Sequence, residues 1–381
     1  MTRTIEHLEK LVGFDTVSHR SNLAIIDYIE GVLQTLGLRT TRLPDASGQK
    51  AGLYAETGPG DGGILLSGHT DVVPVEGQNW TRDPFRLTRD GDRLYGRGTT
   101  DMKGYLACML SAAELTTGQD LREPLKLVFS YDEEIGCVGI QQMADTLAPL
   151  LGQPRACIVG EPTQMQIATG HKGKAAWRAT CHGQAGHSAL APGFVNALHL
   201  AGDFMAELRD LQAWLERTGA RDPGYDVPYS TVHVGQLSGG LAVNMVPDRA
   251  EMRFELRHLA ADPADEMSQR IAEAAERVAD RYKGTFPDAR IELDQTTAYP
   301  GLDVAEDAAV TQLARGFAQT ELTKVAFGTE AGVFDRMGIP TIVCGPGNMA
   351  GQGHKADEYI TTAQLDACDR MMARIVGKIS N

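Results

Sequence analysis

His69 and Asp71 stand two residues apart at the end of the apolar run Ile64-Leu65-Leu66. An imidazole that emerges from a buried strand can ligate a metal through one ring nitrogen. A carboxylate two positions on, on the same side of an extended chain, can hydrogen-bond the other nitrogen. The pattern recurs downstream. Residues 125–130 form an apolar run that stops at Asp132-Glu133-Glu134, and Ala156-Cys157-Ile158-Val159 leads into Gly160-Glu161. Asp101 lies in Gly96-Arg97-Gly98-Thr99-Thr100-Asp101-Met102-Lys103-Gly104, just ahead of the helix-like run 105–115, and His354 follows the apolar run 340–344 through a glycine-rich loop. Consecutive carboxylates at the end of a buried strand repel one another and lose hydration unless cations compensate them.

His69, Asp101, Glu134, Glu161 and His354 thus all fall at carboxyl ends of strands or at a helix start. Open α/β sheets bind their ligands at that edge, so one cleft can collect all five. Imidazole and carboxylate without thiolate suit zinc, or cobalt or manganese at lower affinity. Five ligands exceed one open catalytic site and suit two ions sharing a bridge, for which Asp is short and rigid; each ion then takes one His and one Glu. Glu133 is left over. A free carboxylate beside water activated by two metals is the general base that a hydrolase requires.

The elements that must position these groups read as an α/β chain of two domains. Helices are predicted at 3–13 and 21–36, and strands at 51–56 and 64–67. Between those strands, Gly58-Pro59-Gly60-Asp61-Gly62-Gly63 satisfies G-x-G-x-x-G but opens a strand instead of a helix, which predicts a hairpin turn and no dinucleotide site. From about Gly173 the pattern changes. A strand at 174–181 precedes an amphipathic helix at 194–217, with Leu198, Ala201, Met205, Leu208, Leu211 and Leu215 on one side. Strands at 231–237 and 250–256, a helix begun by Asp262-Pro263 and a strand at 289–296 complete a βαββαβ order, that of a ferredoxin-like unit. The division predicted is a discontinuous catalytic domain at 1–173 and 299–381 with an inserted domain at 174–298. After Pro300 come a helix at 308–319, a strand at 340–344 and a closing helix.

The formal charge of −14 argues against a nucleic-acid partner and is compatible with a substrate carrying positive charge. Six cysteines without C-x-x-C spacing suggest neither a zinc knuckle nor a disulfide framework and point to a reducing compartment. The first residues lack the apolar stretch of a signal peptide, and no run approaches membrane-spanning length, which predicts a cytoplasmic protein with no membrane partner.

The stretches Ser67-Gly68-His69-Thr70-Asp71-Val72-Val73-Pro74, Gly96 to Gly104, Asp132-Glu133-Glu134, Gly160-Glu161-Pro162-Thr163, Gly186-His187-Ser188, Gly328-Thr329-Glu330-Ala331-Gly332 and His354 with Glu358 behind it resemble, in order, the two-zinc aminoacylase and carboxypeptidase-like metallopeptidases. The resemblance implies a two-metal exopeptidase-like catalytic domain carrying a ferredoxin-like lid, and two Zn2+ per subunit, with Co2+ as a substitute. It implies His69, Asp101 and Glu161 on one ion, Asp101, Glu134 and His354 on the other, Glu133 as base, Asp71 as the partner of His69, and a cis peptide between Asp101 and Met102. It further implies a homodimer through the lid, in which His187 hydrogen-bonds the oxyanion in the partner's site, and substrate contacts from Asn244, Arg257, Gly328, Thr329 and Glu330. The Gly328 to Gly332 stretch resembles the branch that deacetylates N2-acetylornithine to ornithine and acetate, in arginine biosynthesis, more than the branch that desuccinylates succinyl-diaminopimelate. A dipeptidase or another N-acyl amino acid deacylase would share every metal residue. An inactive binding relative would have little reason to keep Glu133.

Overall fold

The structure is a computed structural model that describes residues 2–318 and 321–380. The chain divides into two compact units. The first comprises Met1–His171, Leu302–Val325 and Thr329–Asn381; the second comprises Lys172–Gly301 with Ala326–Gly328.

The first unit is built on a mixed sheet of nine strands among the described residues. Its centre is parallel: Leu125–Ser130, Ile64–His69, Ala156–Pro162 and Thr341–Gly345 lie side by side in that order. Ile64, Leu65 and Leu66 are fully enclosed, and each contributes on the order of 1.5–3 kcal/mol of apolar burial. Parallel pairing brings the four carboxyl ends to one edge. Helix Lys103–Leu115 is apolar nearly all round, as a helix buried on most faces must be, and packs between Thr2–Val12 and Thr362–Ser380. A separate small sheet pairs Arg93–Tyr95 with Thr88–Asp90 on one side and Tyr359–Thr361 on the other. Among the described residues no helix is long and apolar enough to cross a membrane.

The predicted hairpin between residues 57 and 64 does not form. Strand Leu125–Ser130 intervenes, antiparallel to Ala51–Thr57 and parallel to Ile64–His69. The glycines of that link admit the incoming chain instead: a Cβ on Gly63, whose φ is +83°, would lie 2.0 Å from the Pro124 carbonyl oxygen. The link does open a strand, as the sequence reading required for rejecting a dinucleotide site. Helix Ala309–Ala318 covers the stretch predicted at 308–319, of which Gln319 lies outside the described residues.

In the second unit, strands Gly173–His182, Thr231–Gly239, Arg249–His258 and Arg290–Tyr299 pair antiparallel in the spatial order second, third, first, fourth, and helices Ala197–Thr218 and Ala264–Asp280 supply the crossovers. This is the split-βαβ connectivity. Its core stacks Trp177 on Phe254 at 5.3 Å, with Phe204 edge-on at 5.7 Å. The first helix starts at Ala197 because Asn196 caps it, accepting the Leu198 N–H at 2.9 Å. Its buried stripe runs through Leu200, Ala201, Phe204, Leu208 and Leu215, which leaves the predicted Leu198, Met205 and Leu211 at the flanks. Asp262 does not cap the second helix; its carboxylate is occupied by Ala220 N and Ser230 Oγ.

Candidate metal centre

The site assembles at the carboxyl edge of the parallel strands in the first unit. Ile64–His69 ends in His69, whose Nδ1 faces the main-chain carbonyl of Asp71 at 2.9 Å. That contact leaves Nε2 for a ligand. The Asp71 carboxylate stands 3.5 Å from the same Nδ1 and does more elsewhere: Oδ1 accepts Glu133 N at 3.1 Å, while Oδ2 accepts Glu134 N at 3.3 Å and Ser18 Oγ at 2.7 Å. Asp71 therefore also shapes the turn that presents the two glutamates.

Asp101 lies between the two histidines. His69 Nε2 is 3.1 Å from Asp101 Oδ1 and 3.6 Å from Glu161 Oε1. His354 Nε2 is 3.1 Å from Asp101 Oδ2 and 3.1 Å from Glu134 Oε2. One carboxylate thus turns each oxygen to a different His–Glu pair. Asp101 does not cap the next helix; Met102 holds the N-cap position, and the Asp101–Met102 peptide is cis. Glu133 Oε1 faces the Cys137 thiol at 3.3 Å. Glu133 also lies with His69 and Glu161 in a group whose ligand atoms are within 4.8 Å of one another, as do His69, Asp101 and Glu134.

The electrostatics mark an excess of enclosed negative charge. Burial pushes the carboxyls of Glu133 and Glu161 well above the ordinary range and Glu134 up to about 7. Burial would raise Asp101 too, but His354 and His69 outweigh it and hold Asp101 low. Contacts with Asp101 and Glu134 raise His354 to about 11. For His69 burial acts downward, and the carboxylates of Asp101, Asp71 and Glu161 overcome it. Among the described residues Glu134 Oε1 and Glu161 Oε1 are buried without a hydrogen-bond partner. Orphaned carboxylate oxygens beside two imidazoles, enclosed together, fit divalent cations by donor type and by charge.

The remaining predicted positions fall into separate groups. In the second unit, strands Gly186–His187 and Met245–Val246 pair, which sets His187 against Met245 and next to Asn244. Ala189 N donates to His187 Nδ1 at 3.1 Å, which leaves the ring proton on Nε2. Arg257 donates to Tyr299 Oη at 3.2 Å and to Glu255 at 3.0 Å, and Gly328 packs directly on the Tyr299 ring. In the first unit, Thr329 Oγ1 accepts Ala331 N at 3.0 Å. Glu330 is fully enclosed and its carboxyl is raised to about 7 by burial, with Ser130 and Ser67 pulling it the other way. The sequence reading missed Ser18, which bonds the Asp71 carboxylate, and Cys137, which bonds Glu133; the position of Cys137 four residues after Glu133 was the available signal.

The pattern that defines peptidase family M20/M25/M40 matches residues 65–378. The chain belongs to that family. Among curated proteins, this M20 chain is 33% identical over 375 residues to the acetylornithine deacetylase of Myxococcus xanthus, covering 97% of this chain and 95% of that protein. Among solved structures, the M20 family metallo-carboxypeptidase Sso-CP2 from Sulfolobus solfataricus shares the fold with a TM-score of 0.81 at 18% identity, over 100% of this chain and 99% of that one. The YxeP protein of Bacillus subtilis, described as a dinuclear metal binding peptidase from the M20 family, aligns with a TM-score of 0.68 at 16% identity, over 99% and 98% of the two chains. The chain is accordingly a metal-dependent hydrolase of the M20 family.

Proposed function

We propose that the chain hydrolyses the amide of an N-acetylated amino acid, with N2-acetylornithine as substrate and ornithine and acetate as products. One observation carries the chemistry: Asp101 faces one His–Glu pair with each carboxylate oxygen, and Glu133 is left unused beside them. In this reading His69, Asp101 and Glu161 hold one Zn2+, and Asp101, Glu134 and His354 the other, with Co2+ able to substitute. Bound there, the ions supply Lewis-acid activation of the amide carbonyl and of water. Glu133 takes the proton of the attacking water and delivers it to the departing amine. Asp71 fixes the His69 ring and, through the Glu133 and Glu134 amides, the turn that carries the base.

The substrate assignment draws on the name of the M. xanthus relative and on the match across nearly both chains. The net charge of −14 is suited to a cationic side chain. Asn244 and Arg257 would take the substrate carboxylate, with Gly328, Thr329 and Glu330 toward the rest of the molecule. A homodimer through the inserted unit is supported by its exposed apolar side chains, Leu241 at 92%, Val243 at 102% and Met245 at 46%, next to strand Thr231–Gly239, which ends its sheet among the described residues. In that dimer His187, with its Nε2 proton free, would stabilise the oxyanion in the partner's site, in a cytoplasmic enzyme of arginine biosynthesis.

Amine release from a panel of N-acetyl and N-succinyl amino acids and dipeptides, with zinc, with cobalt and after chelation, tests the reading. N2-acetylornithine should give the highest kcat/KM, lost on chelation and restored by metal. A higher value for a succinylated substrate or a dipeptide would replace the assignment.

A further inference from the structure

Arg97 and Glu358 have no part in the chemistry above, yet they are among the most enclosed side chains described, at 0% and 1% exposure. Arg97 Nη1 donates to Glu358 Oε2 at 2.7 Å. Enclosing two opposite charges strips both of hydration that their mutual attraction only partly offsets, so their other bonds are informative. Glu358 Oε1 accepts the main-chain N–H of Thr100 at 2.8 Å and of Asp101 at 3.1 Å. Arg97 also reaches the carbonyl of Lys355 at 3.4 Å and Gln78 Oε1 at 2.5 Å, and the Gln78 amide donates to the carbonyl of His354 at 3.3 Å. The pair therefore grips main chain on both sides, at Thr100 and Asp101 through Glu358, and at Lys355 through Arg97, which also holds the Gln78 side chain bonded to the His354 carbonyl. Strand Tyr359–Thr361 pairs with Arg93–Tyr95, so the two loops leave one small sheet side by side. His354 itself has φ +56°, a left-handed conformation that is unfavourable for a non-glycine residue and persists where the surroundings over-determine it.

We infer that Arg97 and Glu358 are a positioning pair that locks the His354 loop to the Asp101 loop and thereby sets the His354 half of the centre selectively. The inference rests on the two-metal reading. His69 and Glu161 sit at the ends of paired strands, His69 opposite Ser130 in the ladder, and need no such device. His354 sits in a loop, its side chain 46% exposed, and depends on the loop's anchors for its direction. Groups that orient metal ligands from behind typically contribute 10- to 100-fold in metal affinity.

Cobalt titrated into chelator-treated protein, followed by absorption and calorimetry, tests this in wild type, Arg97→Lys, Gln78→Ala and His354→Ala. Arg97→Lys keeps the charge and loses the planar fork; Gln78→Ala removes the half-buried side chain that joins Arg97 to the His354 carbonyl and that also accepts from Trp80 Nε1, while the bond between Arg97 and Glu358 does not pass through it. The expected result is two ions in wild type. Arg97→Lys should weaken one ion by about 10- to 100-fold, and Gln78→Ala should weaken the same ion by less. That ion should be the one His354→Ala removes, while the other keeps its affinity and spectrum. Equal weakening of both ions, or of neither, with two ions intact in wild type, overturns the positioning role and leaves the two-metal reading standing. Fewer than two ions in wild type overturns the reading and the inference with it. Should Arg97→Lys fail to fold, Gln78→Ala alone decides between selective and uniform loss.

Discussion

Glu133→Gln separates the two things a carboxylate can do at this centre. The histidine contacts run to Asp71, Asp101, Glu134 and Glu161, and Glu133 stands aside with Oε1 on the Cys137 thiol. The substitution keeps shape and an oxygen for the thiol, and removes only the capacity to accept a proton. Burial lifts the Glu133 carboxyl well above its ordinary range, which marks a proton-accepting group held out of solvent. Losing general-base catalysis costs about 10²- to 10⁴-fold in turnover, or about 3–5 kcal/mol of barrier at 1.36 kcal/mol per tenfold. The measurements are kcat and kcat/KM on the hydrolysed substrate, with elemental analysis of the same preparation. The expected outcome is that loss of rate with both metals retained. A near wild-type kcat refutes the base. Loss of one metal equivalent refutes the division of labour between Glu133 and Glu134, since Glu133 also lies within 4.8 Å of His69 and Glu161 donor atoms.

Lys103 is fully enclosed, donates to the Phe14 carbonyl at 2.7 Å, and is lowered by burial to about 7. Between that value and its ordinary 10.5 the unfolded chain holds a proton that the folded chain releases, so stability should rise with pH through this window. The urea midpoint should climb from pH 7 to about 9 and climb less in Lys103→Met; equal slopes contradict the assignment. Gly63→Ala forces a Cβ to 2.0 Å from the Pro124 carbonyl at a φ of +83°, so it should lower stability by at least about 1–3 kcal/mol, and an unchanged urea midpoint would count against the packing described. His187→Ala mixed with Glu133→Gln should regain activity after subunit exchange, because one site of the mixed dimer has both a base and a partner histidine. No recovery with heterodimers present means that His187 does not act across the interface.

An apolar run stopping at an acidic or histidine residue is a local signal, so the ends of the central strands and the candidate ligands beyond them could be read from the sequence. Hence His69, Asp101, Glu134, Glu161 and His354 could be nominated from residue order alone, and the structure brings them together. Partners distant in sequence were not legible. Nothing near Ala51–Thr57 or Ile64–His69 announces that Leu125–Ser130 inserts between them, so a glycine-rich link read as a turn. Arg97 and Glu358 meet across 261 positions, and each looks alone like an ordinary surface charge. Helix Val138–Leu151 was missed because Gly139 near its start and Pro149 near its end blur the period. Strand Arg39–Pro44 was missed because only Leu43 of its residues is buried.

The central claim is that Asp101 bridges two metal ions, and metal stoichiometry tests it most directly. Protein stripped with a chelator, reloaded with excess zinc and freed of unbound ion should carry two equivalents per chain by elemental analysis. Asp101→Asn, which keeps the shape and removes the shared charge, should carry no more than one after the same treatment, with its secondary structure unchanged. One equivalent or none in the wild type, or two equivalents of undiminished affinity in Asp101→Asn, would contradict the account.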